Sequence, residues 1–82
     1  MDSNICGPRI KSIRQLKMTQ AELSAALEVD YGIYLSQSDI SEIERQERGL
    51  KDYELDAIST ILDVSPMFLL RNELGDDFYV DE

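Results

Sequence analysis

The stretch Leu35 to Gln46, LSQSDISEIERQ, holds the residues best suited to recognition by hydrogen bonding. At about 100° per residue of an α-helix, five polar side chains fall within about 140° of one another: Gln37, Ser41, Arg45, Ser38 and Glu42. Ile40 and Ile43 lie on the opposite side, where they can face a core. A Gln amide offers a donor and an acceptor and suits the N6/N7 edge of adenine, and a Ser hydroxyl suits several bases. The polar side could therefore read DNA, or it could be a solvated surface.

These residues need a scaffold, and the apolar spacing predicts α-helix throughout, with no segment that alternates as a strand does. Pro8 suits the first turn of a first helix, where its missing N–H is not needed. Thr19, with Glu22 three residues later, forms a capping box for a second helix. Gly32 can end that helix, because glycine takes the left-handed conformation without penalty.

The later helix boundaries rest on similar signals. Ser36 is the next N-cap, a turn is expected at Gly49, and Asp52 is expected to cap a fourth helix. Ser65 followed by Pro66 opens a short fifth helix. The residues expected to face the core are Ile10, Ile13, Leu16 or Lys17, Leu23, Ala26, Leu27, Ile40, Ile43, Leu55, Ile58, Ile61, Leu62 and Leu69. The sequence thus predicts an all-α fold of five short helices joined by tight turns.

Composition limits the classes of function. The chain has 82 residues with 43% apolar content, enough for one small domain with a single core. With no His and one cysteine, Cys6, it cannot form a disulfide within itself, a zinc site of the usual N/S type, or a Cys–His or Ser–His catalytic pair. We therefore expect no enzyme activity, no metal and no cofactor. Cys6 is expected to lie near a frayed terminus without a role.

The chain contains neither a long apolar run nor a charged-then-apolar N-terminus. A membrane span and a secretion signal are therefore not expected. Together with the single cysteine, this favours a reducing, cytoplasmic location.

Net charge opposes the DNA-reading interpretation. The chain carries −9 at pH 7, and acidic proteins repel the phosphates that dominate affinity for nucleic acid. The charge is unevenly distributed, since residues 7–20 contain four bases and no acid, whereas the last eleven residues contain five acids and no base. Without those eleven residues, 8 bases face 12 acids, a net charge of −4. Local arrangement therefore matters more than the total.

Three segments carry a family resemblance: RIKSIRQLKMTQAELSAAL, DISEIER and LKDYELDAISTILDVSPMFLL. In this order and spacing they resemble the lambda-repressor-like helix-turn-helix domains of the Cro-type phage repressors and their bacterial relatives. The resemblance covers roughly Pro8 to Leu70 and implies a compact five-helix domain within residues 1–71, whose recognition helix, about residues 37–46, enters the DNA major groove. Residues 72–82 would form an acidic tail, either disordered or docked through Phe78, Tyr79 and Val80.

Three departures from the family pattern stand out. One residue fewer separates Arg14 from the TQ that opens the second helix, so the first turn could be tighter. The link from Leu27 to Ile40 is about six residues longer than in the phage repressors, through the insertion-like GIYLSQS. Gln46 stands where most members have a Gly that ends the recognition helix.

The resemblance also implies roles for individual residues. The base-edge readers would be Gln37, Ser38, Ser41 and Glu42. Gln20 would hydrogen-bond a phosphate and brace the recognition helix. Arg14 and Glu44 match a family pair that ties the first helix to the third through a partly buried, structural ion pair. A carboxylate only accepts hydrogen bonds, so Glu42 would favour cytosine N4, or it would indicate that this face no longer touches DNA.

The basic residues Arg45, Arg48 and Lys51 cluster at the exit of the recognition helix, where phosphate contact is geometrically reasonable. Alternatively, Glu44 and Glu47 could pair with them in a surface lattice of little energetic value. Three tyrosines, Tyr31, Tyr34 and Tyr53, are expected to pack at helix ends rather than to stack on bases.

Two functions remain in view. The first is a sequence-specific, repressor-like transcriptional regulator that binds double-stranded DNA as a homodimer, with the exposed apolar residues Met67, Phe68 and Leu70 as candidates for the dimer surface. A regulatory protein could be a further partner. The second is a protein-interaction adaptor or antirepressor of the same fold that pairs with a basic partner, which the charge of −9 and Glu42 support.

Overall fold

The computed structural model describes residues 4–70, which form five α-helices and no strand. The helices are α1 (Gly7–Gln15), α2 (Gln20–Tyr31), α3 (Gln37–Glu44), α4 (Asp52–Leu62) and α5 (Pro66–Leu70). The predicted all-α, five-helix fold is confirmed. The predicted acidic tail, residues 72–82, lies outside the described residues. Within residues 4–70, no helix combines the length and the apolarity needed to cross a membrane.

Side-chain caps set the start of α2 and α3. Thr19 Oγ1 accepts from the Glu22 N–H at 3.1 Å, while Glu22 Oε1 accepts from the Thr19 N–H at 2.8 Å. Ser36 and Asp39 form the same reciprocal pair, with both distances 3.0 Å. Gly32, at φ 66°, ends α2 as predicted. Each cap satisfies N–H groups that the helix itself leaves unpaired.

Two predicted features of the connection into α4 are wrong. The N-cap of α4 is Lys51 rather than Asp52, because Glu54 Oε1 reaches back to accept from the Lys51 N–H at 3.0 Å. The Glu54 carboxylate, in the first turn of α4, thus takes the place of a capping side chain at the N-cap position. Gly49 lies outside the turn, which residues 45 and 46 form, and it does not take a left-handed conformation.

The reversal after α3 occurs instead at Gln46, at φ 65°. The Glu47 N–H donates to Glu42 O at 2.8 Å and the Gln46 N–H to Ile43 O at 3.0 Å, the hydrogen-bond pattern of a Schellman motif. α3 therefore ends at Glu44, two residues before the predicted end of the recognition helix. Gln46 takes the position that glycine usually fills, although the left-handed conformation costs an L-residue about 1–2 kcal/mol.

The connection from α2 to α3, residues 32–36, is held against α2 by a side chain. Ser24 Oγ donates to Leu35 O at 2.6 Å, and Leu35 itself is buried. The turn between α1 and α2 is short, and the Met18 N–H donates to Arg14 O at 2.8 Å. Both connections that differ in length from the family pattern are thus hydrogen-bonded to the preceding helix.

One apolar core joins the helices. Its buried residues are Cys6, Ile10, Leu23, Leu27, Leu35, Ile40, Ile43, Ala57, Ile58, Leu62 and Leu69. Most of them were predicted from periodicity. Four other residues were expected to face the core: Ile13, Ala26, Leu55 and Ile61. Three of them, Ile13, Leu55 and Ile61, are partly buried and pack against it.

Several burial predictions are wrong. Leu16 is 81% exposed, and Lys17 is exposed too, because α1 ends at Gln15 and the chain has already turned away from the core. Cys6 is only 2% exposed and lies in the core, not in a frayed end, and burial raises the pKa of its thiol. The three tyrosines expected to pack at helix ends, Tyr31, Tyr34 and Tyr53, are exposed.

α1 approaches α3 closely at Gly7. A Cβ atom added there would meet Ile43 O in a severe clash and would lie 2.9 Å from Glu44 O. Only a residue without a side chain lets the start of α1 pack on the last carbonyls of α3. This contact limits the distance between the first and third helices.

Gly7→Ala should destabilise the fold by about 3 kcal/mol, the upper part of the range for overpacking, because a backbone carbonyl cannot move aside cheaply. Gly32→Ala is the matched control, since its Cβ would meet nothing within 4 Å and only its positive φ is penalised, by roughly 1–2 kcal/mol. Urea unfolding of both variants measures the difference. Equal losses would contradict the close approach of α1 to α3.

Candidate nucleic-acid interface

The candidate interface is the side of α3 opposite the core. Ile40 and Ile43 are buried on one side of this helix. The four predicted base-reading residues all lie on α3: Gln37 and Ser38 are exposed, and Ser41 and Glu42 are partly exposed. The helix therefore presents amide, hydroxyl and carboxylate groups to solvent while its apolar stripe anchors it.

A buried ion pair holds the end of α3 against α1. Arg14 Nε lies 2.5 Å from Glu44 Oε2, and Arg14 Nη2 lies 3.1 Å from Glu44 Oε1. The residues are 7% and 4% exposed. Arg14 Nη1 also donates to Met18 O at 3.1 Å, so the same guanidinium fastens the turn between α1 and α2. Two parallel hydrogen bonds give this pair a defined geometry as well as charge compensation.

Gln20 extends the ion pair toward the start of α3. Its Nε2 donates to Glu44 Oε1 at 3.0 Å. Because the Glu44 carboxylate in this ion pair acts as an acceptor, it orients the Gln20 amide so that Oε1 points toward Gln37. Gln37 Nε2 lies 3.5 Å from that oxygen, which is long for a hydrogen bond. The first residue of α2 thus contacts both ends of α3.

Arg45 lies along the exposed side of α3. Its Nη1 donates to Ser41 Oγ, and its Nη2 donates to Glu47 Oε1 at 3.0 Å. The hydrogen bond to Glu47 raises the pKa of the Arg45 guanidinium. Both partners of the Arg45–Glu47 pair are about half exposed, and exposed pairs of this kind contribute little to stability. The guanidinium therefore covers the hydroxyl of a predicted base-reading residue.

Arg48 is anchored by a residue that sequence reasoning did not assign a role. Its Nη1 and Nη2 lie 3.3 Å and 3.4 Å from the two carboxylate oxygens of Glu54, which is only 3% exposed. This hydrogen bonding raises the pKa of Arg48. Lys51, the third basic residue predicted to contact phosphate, is exposed, with its Nζ 5.9 Å from the centre of the Tyr53 ring. A signal for Glu54 was present, since it stands three residues after the true N-cap.

Acidic groups also surround this face. The backbone N–H and hydroxyl of Ser36 lower the pKa of Asp39, with the backbone hydrogen bond contributing most. Glu42 lies one helical turn further on and is partly exposed. Among the described residues, no cluster of three or more Cys, Asp or Glu side chains could hold a metal ion. The site is thus built from amides, hydroxyls, guanidinium groups and carboxylates.

Arg14→Met and Glu44→Met should each cost about 3–5 kcal/mol of unfolding free energy, because each leaves a buried charge without its partner. The double variant should be destabilised by less than the sum of the two, since it removes both charges. A double-mutant cycle in urea measures this coupling. Additive losses would mean that the two side chains do not depend on each other.

The chain is similar to the P22 c2 repressor protein, whose crystal structure was determined in complex with synthetic operator 9T in the presence of Tl+. The two sequences are 32% identical, and the TM-score is 0.68 over 85% of this chain and 98% of the repressor chain. Neither a protein-family model nor a curated protein matches the chain. Since the likeness spans nearly all of the chain in that crystal structure, the resemblance inferred from the sequence is confirmed, and the protein belongs to the family of lambda-repressor-like helix-turn-helix domains.

Proposed function

We propose that the protein is a sequence-specific DNA-binding transcriptional regulator, repressor-like in action, whose α3 enters the major groove. The observation that carries the proposal is the exposed hydrogen-bonding side of α3, held outward by Ile40 and Ile43 in the core. The similar P22 c2 repressor was crystallised with an operator, which supports the same use of the fold.

The proposed base contacts are Gln37, Ser38, Ser41 and Glu42. Gln37 stands at the start of α3, where its amide can pair with the N6/N7 edge of adenine. Glu42 accepts hydrogen bonds only and would select cytosine N4 while penalising other edges. Glu42 therefore lowers affinity for unselected DNA and contributes selectivity.

The proposed phosphate contacts differ in how freely they can move. Arg45 is exposed, and its contact with Glu47 can be exchanged for a phosphate at little cost. Gln20 uses its Nε2 toward Glu44 and keeps a second N–H on the same nitrogen for a phosphate. Lys51 is exposed at the start of α4. Arg48 is tied to buried Glu54, so it approaches a phosphate only with the segment that carries it.

We further propose that two copies bind a two-fold site. A dimer would place two recognition helices about one helical turn of DNA apart, about 34–36 Å. Met67 and Phe68 on α5 are exposed apolar residues and are candidates for the contact between copies. A regulatory protein partner would supply control.

A specific observation favours the adaptor as a second candidate. Both Arg45 and Arg48 already contact carboxylates, and the net charge is −9. A domain of this kind would bind a basic protein rather than a polyanion. The two candidates differ in their response to salt, because displacement of counterions from phosphates makes DNA affinity fall steeply as salt rises.

The test of the proposed function is a selection of bound oligonucleotides from a random pool, followed by titration of selected and random duplexes at about 50 mM and about 200 mM salt. For 6–10 phosphate contacts, affinity should fall by about 10³–10⁵-fold across this range. Absence of binding to every duplex at the lower salt concentration would refute DNA binding and leave the adaptor.

Gln37→Ala should relax preference at one base-pair position by about 1–3 kcal/mol and leave the slope of affinity against salt unchanged. Binding to a panel of single-base variants of the selected site measures this. If all variants of the site lose affinity equally, Gln37 is not a base reader.

Arg45→Ala should weaken binding to every duplex by a similar factor and reduce the salt slope by about one for each copy bound, or about two for the two-fold complex. Arg45 is the better probe than Arg48, since Arg48→Ala would strand the buried Glu54 carboxylate and destabilise the fold. Lys11→Ala, an exposed cation on α1, is the charge-matched control. An unchanged slope for Arg45→Ala would remove it from the phosphate contacts.

A further inference from the structure

We infer that Asn4 and Gln46 together form a latch that positions the α3–α4 connection, residues 45–51, for phosphate contact. This inference rests on the proposed function, because the connection carries Arg45, Arg48 and Lys51. Neither Asn4 nor Gln46 is a contact residue in the proposed complex. They are positioning residues that act through the backbone between α3 and α4.

Asn4 bridges three backbone segments. Its Nδ2 donates to Arg48 O at 2.7 Å and to Ile43 O at 3.1 Å, while its Oδ1 accepts from the Gly7 N–H at 2.7 Å. An Asn amide has two N–H groups and one oxygen with two lone pairs, so both donors and one acceptor position are used here. One amide thus ties the start of α1 to the end of α3 and to the middle of the connection.

Gln46 closes the latch from the other side. Its Nε2 donates to the backbone O of Asn4 at 3.0 Å. The hydrogen bond spans 42 positions of sequence and begins at a residue with φ 65°. Glycine at this position would take the same backbone conformation without strain. The side chain of Gln46 therefore adds a contact that the helix stop itself does not require.

The latch is continuous with the end of α3. Ile43 O accepts from both Asn4 Nδ2 and the Gln46 N–H, so the latch and the Schellman motif share an acceptor. Arg48 is the next residue held, through its carbonyl, and its guanidinium is fixed separately by Glu54. The backbone of Arg48 is thus held by Asn4, and its side chain is held by Glu54. Together these contacts fix the position of residues 45–51 relative to α3.

The first test uses the free protein. Asn4→Ala and Gln46→Asn should each increase hydrogen exchange at the backbone amides of position 46 and Glu47 by about 10-fold. Opening of this turn would then no longer require all the hydrogen bonds of the latch to break. Asn tolerates the left-handed conformation but has one methylene fewer, so Gln46→Asn keeps the backbone and removes the reach to Asn4. Thr60→Ala, an exposed change within α4, is the control. Unchanged exchange in both latch variants would overturn the inference.

The second test uses the selected duplex and random duplexes. Both latch variants should lose about 5–20-fold in affinity for every duplex, with base preference retained and the salt slope reduced by about one for each copy bound, as for one misplaced phosphate contact per copy. A merely structural role would lower the melting temperature and leave the slope unchanged at a temperature where each variant is folded. Faster exchange with unchanged affinity would show that the latch positions nothing and would overturn the inference.

The two arms separate the inference from the function on which it rests. If the wild-type protein binds no duplex, the proposed function fails, and the exchange measurement alone decides whether Asn4 and Gln46 hold residues 45–51. If the wild type binds and the latch variants bind as well as it does, the function stands and the latch role is refuted.

Discussion

The ion pair between Arg14 and Glu44 is the interaction on which the arrangement of α3 depends. Removing two charges from water is expensive, and their attraction compensates only when geometry is good and the remaining hydrogen-bonding positions are filled. Here the guanidinium makes a two-pronged contact and also donates to Met18 O, while the carboxylate accepts from Gln20. These partners belong to α1, α3, the first turn and α2. Each of these contacts offsets part of the cost of burying the two charges.

This dependence explains how so short a helix is held at a defined angle. α3 has eight residues, and its buried apolar side chains are Ile40 and Ile43. Two such side chains determine which side of the helix faces the core, but apolar contacts alone do not define its tilt. The orientation of α3 is fixed further at its C-terminal end, by the ion pair and by the close approach of Gly7 to its last carbonyl groups. Hydrogen bonds and charge pairs have directional geometry, which apolar burial lacks.

Local rules predicted most of the fold, and the errors in burial share a physical cause. Thr19 and Ser36 were identified as caps because a cap depends on neighbours in sequence. Exposure of Leu16 and burial of Cys6 depend on where α1 begins and ends relative to other helices, which periodicity does not contain. The same limit applied to the candidate site, where the helix face followed from spacing and the ion pair from a family resemblance. The contacts of Arg48 with Glu54 and of Gln46 with Asn4 could not be predicted, because they depend on how separate elements pack and have no periodic signature in a single sequence.

The acidity of the chain acquires a different meaning once its carboxylates are placed. Glu22 and Asp39 lie in the first turns of helices, where partial positive charge from the backbone offsets them. Glu44 and Glu54 are buried beside guanidinium groups. These four acids serve folding, and their fields are compensated by the groups that they contact. A phosphate near α3 therefore responds mainly to the exposed groups close to it, since charges further away than about 10 Å are largely screened at about 0.1 M salt. Net charge counts both kinds of carboxylate equally, and that is why it is a poor guide to what this face can bind.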